Sequence, residues 1–510
     1  MIDQTKITSF TSDLANKLDI FESESLVFCY GHFNIIHPGH IRYLQHAKSL
    51  GKKLYIALLG DALLTHTSKN QYFSELERAN GIASLDFVDR VLILDQLGLD
   101  QAILKYKPKY LVLGKEFQNT ERTDILQAKH AIESISGKIE YHAGEIHYAS
   151  ADLLHGSLKS LEDIRRTSFI QSCKRQNVHT SRLLEIIRNF KDKNLLVIGD
   201  TIVDQYVACD AIGMSAEAPV LVVKELESRE FVGGAGIVSS HVKSLGANCR
   251  FLSVVGNDEN SKLVERSLTG QGIKAMLIQD SGRPTTFKIR YMVENQKLFR
   301  VSRLKEHSLP KAIEDQFISC LRDMSDEIDG ILVCDFVYGV ITPRIIEELQ
   351  KLSKEKNIKL FGDLQCSSQV GNITKFEDFY LLCPTEREAR IALSNQEDGI
   401  EWIANTLLER TRSKHLLVKL GAEGFVTYTR PDNEETKKEH FPALISNPVD
   451  VAGAGDSLLA AMATALCAGA NIMEASAIGA CMAALAVQTV GNIPVSQNQL
   501  IQFLNQLETT

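Results

Sequence analysis

Short apolar runs alternate with amphipathic stretches over most of the chain. In the N-terminal part the runs predict buried strands, and the segments between them have helical spacing; the runs are Leu26–Tyr30, Leu54–Leu59, Val91–Leu94 and Tyr110–Gly114. Alternation of this kind is typical of a parallel sheet wrapped by helices. We therefore expect a first α/β domain over residues 24–157.

The same pattern returns in the C-terminal part. Its core strands are predicted at Asn194–Asp200, Ile331–Asp335, Lys359–Asp363, Phe379–Pro384 and His415–Lys419. Two further strand-like segments, Ala218–Lys224 and Phe287–Arg303, lie outside the alternation and predict a small sheet or lid over a site. The expected fold class is α/β, with two doubly wound parallel-sheet domains and a β lid on the second, over residues 194–505.

Residues 158–193 differ from both parts. They are rich in Lys, Arg, Glu and Ser and show no strand pattern, so they predict a helical linker. The basic pairs Arg165-Arg166 and Lys174-Arg175 are interpreted as a solvated face.

Composition narrows the class of protein. The 510 residues are 44% hydrophobic and 24% charged with a net charge of -8, which argues against a nucleic-acid partner. Ten cysteines lack any C-x-x-C pair and predict reduced thiols in a cytoplasmic protein. The longest apolar run, Leu458–Ala470, is too short to span a bilayer, so we expect no membrane partner.

The segment Asp450–Ser457 carries the strongest chemical signal. An extended stretch meets Gly453, Ala454 and Gly455, then Asp456, and a helix follows. Free N–H groups at a helix N-terminus bind an anion, and an adjacent aspartate can accept a proton from an attacking hydroxyl. This arrangement favours phosphoryl transfer to an alcohol, with a plain Gly-rich turn as the alternative.

A second phosphate-handling pattern follows the first strand. His37 and His40 flank Pro38-Gly39, and three-residue spacing at a helix N-terminus places both imidazoles on one face. Two imidazoles and free backbone N–H groups then converge on one anion.

The C-terminal half resembles the ribokinase-like (PfkB) sugar kinases. Three signatures occur in order: Gly199-Asp200 with Asp204, Gly233-Gly234-Ala235-Gly236, and Gly453-Ala454-Gly455-Asp456. The resemblance implies that Asp456 is the base and that Asp204 with Gly233 and Gly234 binds the sugar. It places Gly421, Gly424 and the Gly453–Gly455 nest near the nucleotide.

Two segments, Ser215–Val220 and Asn295–Arg300, resemble the heptose-phosphate kinases. Lys288 and Arg290 are two apart on a predicted strand and share a face. With Arg300 they are candidates to bind the phosphate of a phosphosugar. The alternative is an exposed basic face of a lid strand.

The N-terminal domain is similar to the cytidylyltransferase-like nucleotidyltransferases through His37-Pro38-Gly39-His40. That similarity implies that both histidines stabilise the α-phosphate while a sugar phosphate attacks and pyrophosphate leaves. Nucleotide contacts are expected around the H-x-G-H motif and further along the domain; they are Gly31, Phe33, Glu77-Arg78, Gly114, Lys115 and Ser150.

Several positions depart from the family patterns. In the kinase half the residues at expected Asn or Lys positions are Ile237, Thr385, Tyr338 and Gln365, although Glu388 remains to order Mg²⁺ through water. In the N-terminal half Asn34 replaces an expected Asp, and Ala149-Ser150-Ala151 replaces a Ser/Thr-Thr tail.

The two activities occur fused in the bifunctional ADP-heptose synthesis family, in the opposite order. We therefore expect a bifunctional enzyme that uses ATP with Mg²⁺ in the kinase and a second nucleotide, ATP or CTP, in the transferase. Sugar phosphates are the expected small-molecule partners, and an assembly of identical chains is compatible with the sequence. Two alternatives stay open: one domain is a binding or regulatory module, or the substrate is a polyol phosphate.

Overall fold

The computed structural model describes residues 6–13, 25–33, 36, 38–63, 73–95, 98–114, 117, 122–142, 161–217, 220–293, 296–366, 369–430 and 436–508. The chain divides into two compact units, Met1–Ser160 with Asn395–Thr406, and Leu161–Ser394 with Leu407–Thr510. Within the described ranges no helix has the length and apolar character needed to cross a bilayer.

The N-terminal unit is built on a parallel sheet with strand order β1-β4-β3-β2-β5-β6 in the part of the chain described. Its strands are β1 Ile7–Ser9, β2 Leu26–Gly31, β3 Lys53–Leu59, β4 Arg90–Leu94, β5 Tyr110–Gly114 and β6 Lys138–His142. Its helices are α1 Phe10–Asp13, α2 Pro38–Ser49, α3 Glu75–Ala83, α4 Leu99–Tyr106 and α5 Thr123–Ser134.

Strand β2 is apolar at every position, so side chains on both of its faces need to be buried. Both faces of the sheet are accordingly covered. Phe28 packs with Tyr106 of α4 on one face, and Cys29 packs with Tyr43 of α2 on the other. The chain runs outward from β2 through β3 and β4 on one side and through β5 and β6 on the other. The carboxyl ends of β2 and β5 therefore border the crevice where such sheets bind ligands.

The C-terminal unit contains a larger sheet whose core order is β10-β9-β7-β13-β14-β15-β16-β17-β18. Strand β7, Asn194–Met214, runs out of this core and pairs with β8 and β11, and β11 pairs with β12. These outer portions form the lid. The remaining strands are β8 Leu221–Gly234, β9 Asn248–Val255, β10 Lys274–Gln279, β11 Thr286–Val293, β12 Gln296–Arg303, β13 Gly330–Asp335, β14 Lys359–Leu364, β15 Leu381–Leu382, β16 His415–Lys419, β17 Phe425–Thr429 and β18 Lys437–Phe441.

Helices pack on this sheet in the usual layered manner. They are α6 Leu161–Arg175, α7 Thr180–Arg188, α8 Ala235–Ser244, α9 Glu259–Gly270, α10 Lys311–Met324, α11 Pro343–Lys356, α12 Glu386–Leu393, α14 Ala454–Cys467, α15 Ile472–Ala486 and α16 Gln497–Glu508. Helix α13, Ile400–Thr411, is divided between the two units, with its residues up to Thr406 in the first and from Leu407 in the second. The α/β class, the parallel sheets and the β lid predicted from the sequence are confirmed.

The described part of the segment between the predicted domains, residues 161–193, is largely helical, and it packs on the C-terminal unit. Phe169 of α6 and Leu183 of α7 belong to that unit's hydrophobic core. Arg165 is only 6% exposed, so its interpretation as part of a solvated face is wrong. Its burial depends on partners far along the chain, which local composition does not reveal.

Candidate active sites

Charged side chains gather at the carboxyl ends of the core strands of the C-terminal unit. Asp335 ends β13, Asp363 lies near the end of β14, and Lys419 ends β16. All belong to the parallel part of the sheet, where strand ends meet at one edge. Asp456 enters this edge from the first turn of α14.

The predicted phosphate nest begins α14. Gly453 is its N-cap with φ 79°, a left-handed conformation that favours glycine. A Cβ at Gly455 would lie 3.2 Å from Lys419 Nζ. The ammonium thus sits beside the first-turn amides, so a backbone nest and a fixed cation face the same space.

Asp456 has the properties of a proton acceptor near neutral pH. Its side chain is buried, and Gln365 Nε2 donates to its Oδ1 at 2.8 Å. Burial, with the negative charge of Asp363, raises the pKa of Asp456 to about 7, although Lys419 and Gln365 oppose the rise. A carboxyl that titrates near working pH suits general-base chemistry.

Lys419 balances the negative charge around the nest. Its Nζ donates to both carboxylate oxygens of Asp363 at 2.9 Å. Burial lowers the pKa of Lys419, but the charges of Asp363 and Glu388 outweigh it and hold the pKa above its ordinary value. The lysine therefore stays charged.

The predicted sugar-side aspartate is held by two nitrogen donors. Arg290 donates to Asp204 Oδ1, and Asn492 Nδ2 donates to Oδ2 at 3.2 Å. A Cβ at Gly233 would lie 2.4 Å from Asp204 Oδ2. The first glycine of the pair is thus required for the close approach of backbone and carboxylate.

The basic residues of the lid do not form a single exposed face. Lys288 is buried with its ammonium 5.1 Å from the ring centre of Tyr338, and Arg290 is paired with Asp204. Arg300 is exposed and lies opposite Arg290 in the β11–β12 register. The alternative of an exposed basic strand therefore fails for Lys288 and Arg290.

A cavity of about 520 Å³ opens under the lid next to this cluster. Tyr206 contacts both the Asp204–Arg290 pair and the cavity. The guanidinium of Arg290 lies 5.3 Å from the centre of its ring, and the ring lines the cavity. Asp450 also lines the cavity and accepts from Tyr206 Oη at 3.0 Å and from Lys297 Nζ at 3.1 Å.

Glu388 is fixed by a capping box at the start of α12. Its Oε2 accepts the Thr385 amide at 2.8 Å, and its Oε1 accepts the Cys366 amide at 3.0 Å. Thr385, which replaces an expected Asn, supplies the N-cap oxygen. Over the described ranges no cluster of three or more metal-ligating side chains is found.

Several carboxylate oxygens nevertheless surround the nest. Mg²⁺ prefers oxygen ligands and in phosphoryl-transfer sites is held by one or two carboxylates with the nucleotide phosphates. The buried carboxylates of Asp363 and Glu388 already accept hydrogen bonds from Lys419 and from the Cys366 and Thr385 amides, so they fit an ion held through water rather than one bound directly.

Gly421 and Gly424 enclose the turn that follows Lys419. Both have positive φ, 63° and 93°. A Cβ at Gly424 would lie 2.1 Å from the carbonyl oxygen of Phe441. The second glycine therefore lets this turn close against β18.

In the N-terminal unit, His40 lies in the first turn of α2 and is 9% exposed. Its ring meets the ring of Phe33 edge-on, with centres 5.1 Å apart. Phe33 is buried with φ 43° and also packs on Tyr43 and under Gly31. Only the backbone of Phe33 is therefore available to a nucleotide.

Arg78, one of the expected nucleotide contacts, donates hydrogen bonds to backbone oxygens of two neighbouring strand ends. Its guanidinium donates to the carbonyls of His32 at 2.6 Å and Leu59 at 2.9 Å, and to Asp61 Oδ1 at 2.6 Å. The strand ends of β2 and β3 are thereby joined. Glu77 instead completes an exposed capping box with Ser74.

At the crevice, Gly114 ends β5 and is buried, and the β2 strand end carries Tyr30. Tyr30 Oη donates to Asp124 Oδ2 at 3.2 Å, and burial raises the pKa of Tyr30 to about 12. Burial, aided by the charge of His40, lowers the pKa of His32 to about 4. Several positions named from the sequence lie outside the described residues: Asn34, His37, Lys115 and Ala149–Ala151 in this unit, and Ala218, Pro219 and Asn295 in the C-terminal unit.

The sequence did not single out Lys419 or Asn492 for the kinase site. Lys419 ends a predicted core strand directly before Leu420-Gly421, and a charged residue at such a strand end is a usable signal. Asn492 gives no comparable signal, because its contact with Asp204 spans 288 residues.

Comparison with known proteins agrees with this architecture. Residues 192–499 match the family described as pfkB family carbohydrate kinase, and residues 28–186 match the cytidylyltransferase-like family. The fold of Escherichia coli phosphofructokinase-2, solved in complex with substrates and products, superposes with a TM-score of 0.52 at 15% identity over 62% of this chain and 99% of that chain.

Two relatives are both described as bifunctional protein HldE. The chain is 32% identical to that of Campylobacter jejuni subsp. doylei over 63% of this chain and 66% of the relative. It is 29% identical to that of Geobacter metallireducens over 61% of this chain and 63% of the relative. The matches thus span just under two thirds of each relative's length. Because the family model matches three fifths of its residues, the chain belongs to the pfkB family of carbohydrate kinases.

Proposed function

We propose that the protein is a bifunctional cytoplasmic enzyme of nucleotide-sugar synthesis. The C-terminal unit phosphorylates a sugar phosphate, of the heptose-phosphate kind, from ATP. The N-terminal unit transfers a nucleotidyl group to a sugar 1-phosphate and releases pyrophosphate. The similarity to the HldE proteins supports the pairing of the two reactions.

The placement of Asp456 is the observation that carries the kinase proposal. It is a buried carboxyl with a pKa of about 7 at the mouth of an amide nest. Its carboxylate takes the proton of the acceptor hydroxyl as that oxygen bonds to the γ-phosphorus and the bond to ADP breaks. The nest amides and Lys419 stabilise charge on the transferred group.

The sugar is oriented by Asp204 and by the basic residues of the lid. Asp204 accepts hydrogen bonds from sugar hydroxyls, and it is held for this by Asn492 and Arg290. Lys288, Arg290 and Arg300 bind the substrate phosphate near the cavity under the lid. Glu388 would help to hold Mg²⁺ through water, and the ion would supply charge neutralisation for the phosphates.

For the N-terminal unit, the position of His40 at the start of α2 supports nucleotidyl transfer. His40 with His37 contacts the α-phosphate, where charge builds up as the sugar phosphate attacks. Gly31, Gly114, Lys115, Ser150 and the backbone of Phe33 bind the nucleotide, which is ATP or CTP.

A second candidate keeps the kinase and makes the N-terminal unit a nucleotide-binding module. It is favoured by the burial of Phe33 and by the direct use of Arg78 in joining backbone strands. Under this candidate the unit binds a nucleotide but forms no product.

The deciding experiment incubates the full chain with Mg²⁺, each of ATP and CTP, and a panel of sugar phosphates, sugar 1-phosphates and polyol phosphates. ADP formation and pyrophosphate release are followed separately. We expect both products with different members of the panel. ADP without pyrophosphate, together with nucleotide binding by the N-terminal unit, would select the binding-module candidate.

A further inference from the structure

Helix α6, Leu161–Arg175, lies outside the residues matched by the kinase family, yet it packs on the kinase unit. Ser172 Oγ donates to the carbonyl of His440 at 2.8 Å, and Arg175 pairs with Glu439 at 3.0 Å. The ring of Phe169 meets that of Phe441 edge-on at 6.3 Å. The helix is therefore fixed along β18.

Arg165 connects α6 to two further segments of the kinase unit. Its Nη1 donates to the carbonyl of Ile445 at 2.6 Å, and its Nη2 donates to the carbonyl of Ala422 at 3.1 Å. A buried guanidinium costs desolvation energy that hydrogen bonds must offset. Its two carbonyl contacts thus hold two chain segments at a fixed separation.

Both segments lead directly to the phosphate nest. Ala422 lies in the turn Gly421–Glu423, three residues beyond Lys419 at the end of β16. Ile445 lies on the stretch between β18 and Asp450, which continues into Gly453–Asp456. Arg165 therefore bridges the segment that places the ammonium and the segment that places the amides.

We infer that Arg165 is a positioning residue for the adenine nucleotide of the kinase, supplied by a helix outside the family's own fold. It fixes the separation of the Gly421–Gly424 turn and the strand that enters the nest. This inference rests on the proposed kinase function. It gives residues 161–175 a role in nucleotide binding in place of that of a linker.

The test compares Arg165→Ala with Arg166→Ala in the full chain. Both changes remove one arginine from the same helix, and Arg166 is only partly buried. We expect Arg165→Ala to weaken ADP binding in calorimetry, and to raise KM for ATP, by about tenfold, the scale of one charged hydrogen bond. KM for the sugar should stay within about twofold, since its wall is built from the lid.

Arg165→Lys keeps the charge with a single donor head, so its ADP affinity should fall between wild type and Arg165→Ala. A purely structural role predicts instead a lower unfolding temperature with ADP affinity and KM for ATP unchanged, and that result overturns the inference. Loss of turnover with every sugar, while ADP binding still separates the two alanine variants, counts against the proposed function alone. A wild-type chain that binds no adenine nucleotide overturns both.

Discussion

The two candidate phosphate sites are built by opposite means. In the C-terminal unit, the nest is surrounded by buried charges that compensate one another, with Lys419 between Asp363 and the helix start. In the N-terminal unit, the crevice is held by Arg78 through backbone carbonyls. The first arrangement can tune proton affinity, as the pKa of Asp456 near 7 indicates. The second fixes the position of its groups, and burial there lowers the pKa of His32 to about 4.

This contrast makes His40 the residue whose loss should matter most. In the proposed reaction His40 contacts charge that develops in the transition state, and His40→Ala removes that contact. We expect pyrophosphate release to fall by at least ~10³-fold, the upper range for one such donor, with nucleotide binding little changed. His130→Ala, at a side chain that is 83% exposed, is the matched control. Unaltered release in His40→Ala would remove the residue from the reaction.

For the kinase, Asp456→Asn keeps the size and the Gln365 contact but removes the base. The rate of ADP formation should drop by at least ~10²-fold, the usual contribution of a positioned base. ATP affinity should stay near that of wild type, and pyrophosphate release serves as the internal control. A variant with full kinase turnover would mean that another group takes the proton.

The charge balance itself can be broken at Lys419. Lys419→Met leaves the buried carboxylate of Asp363 without its cation, which should cost about 3–5 kcal/mol of unfolding free energy. The double variant Lys419→Met/Asp363→Leu should recover much of that loss. Lys48→Met, which breaks a part-exposed pair with Asp89 in the other unit, should cost less than about 1 kcal/mol. Equal urea midpoints for the two single variants would contradict the contrast.

Only the features of the kinase site that come from adjacent residues can be predicted from the sequence. Gly453, Gly455 and Asp456 are adjacent, so their spacing alone predicts the nest. Lys419 meets Asp363 from a strand 56 residues away, and Arg165 meets Ala422 across 257 residues. The composition of a polar helix such as α6 predicts exposure to solvent, because the backbone carbonyls that its side chains bind cannot be identified from composition.

The glycine pair at 233–234 shows the same division. The motif predicts that the pair binds the sugar together with Asp204, whereas Ile237 stands where the family pattern has Asn. Asn492 supplies an amide to Asp204 from the other end of the unit. The absence of an expected side chain from one motif therefore says little about the site until the contacts made by the rest of the chain are known.

The pKa of Asp456 gives a pH test of the tuned site. The groups that face it are Asp363, Lys419, Gln365 and Asp204. Because the base acts as carboxylate and its pKa is raised to about 7, kinase kcat/KM should fall about tenfold per pH unit below that value. Gln365→Met removes a contact that lowers the pKa and should move the midpoint to higher pH. A wild-type profile flat from pH 5 to 8 would refute the assignment.

The smallest expected difference compares the two capping boxes. Glu388 is buried and accepts amides from Thr385 and Cys366, whereas Glu77 is exposed and accepts only from Ser74. Glu388→Gln replaces one of two acceptor oxygens by a donor and should cost about 1–2 kcal/mol, because a buried amide then loses its partner. Glu77→Gln should cost much less, since water can replace the lost contact at this exposed side chain. Hydrogen exchange of the peptides covering α12 and α3 measures each locally. Equal protection losses would show that burial adds nothing to the cap, and that the two units differ in their charges but not in how their helices begin.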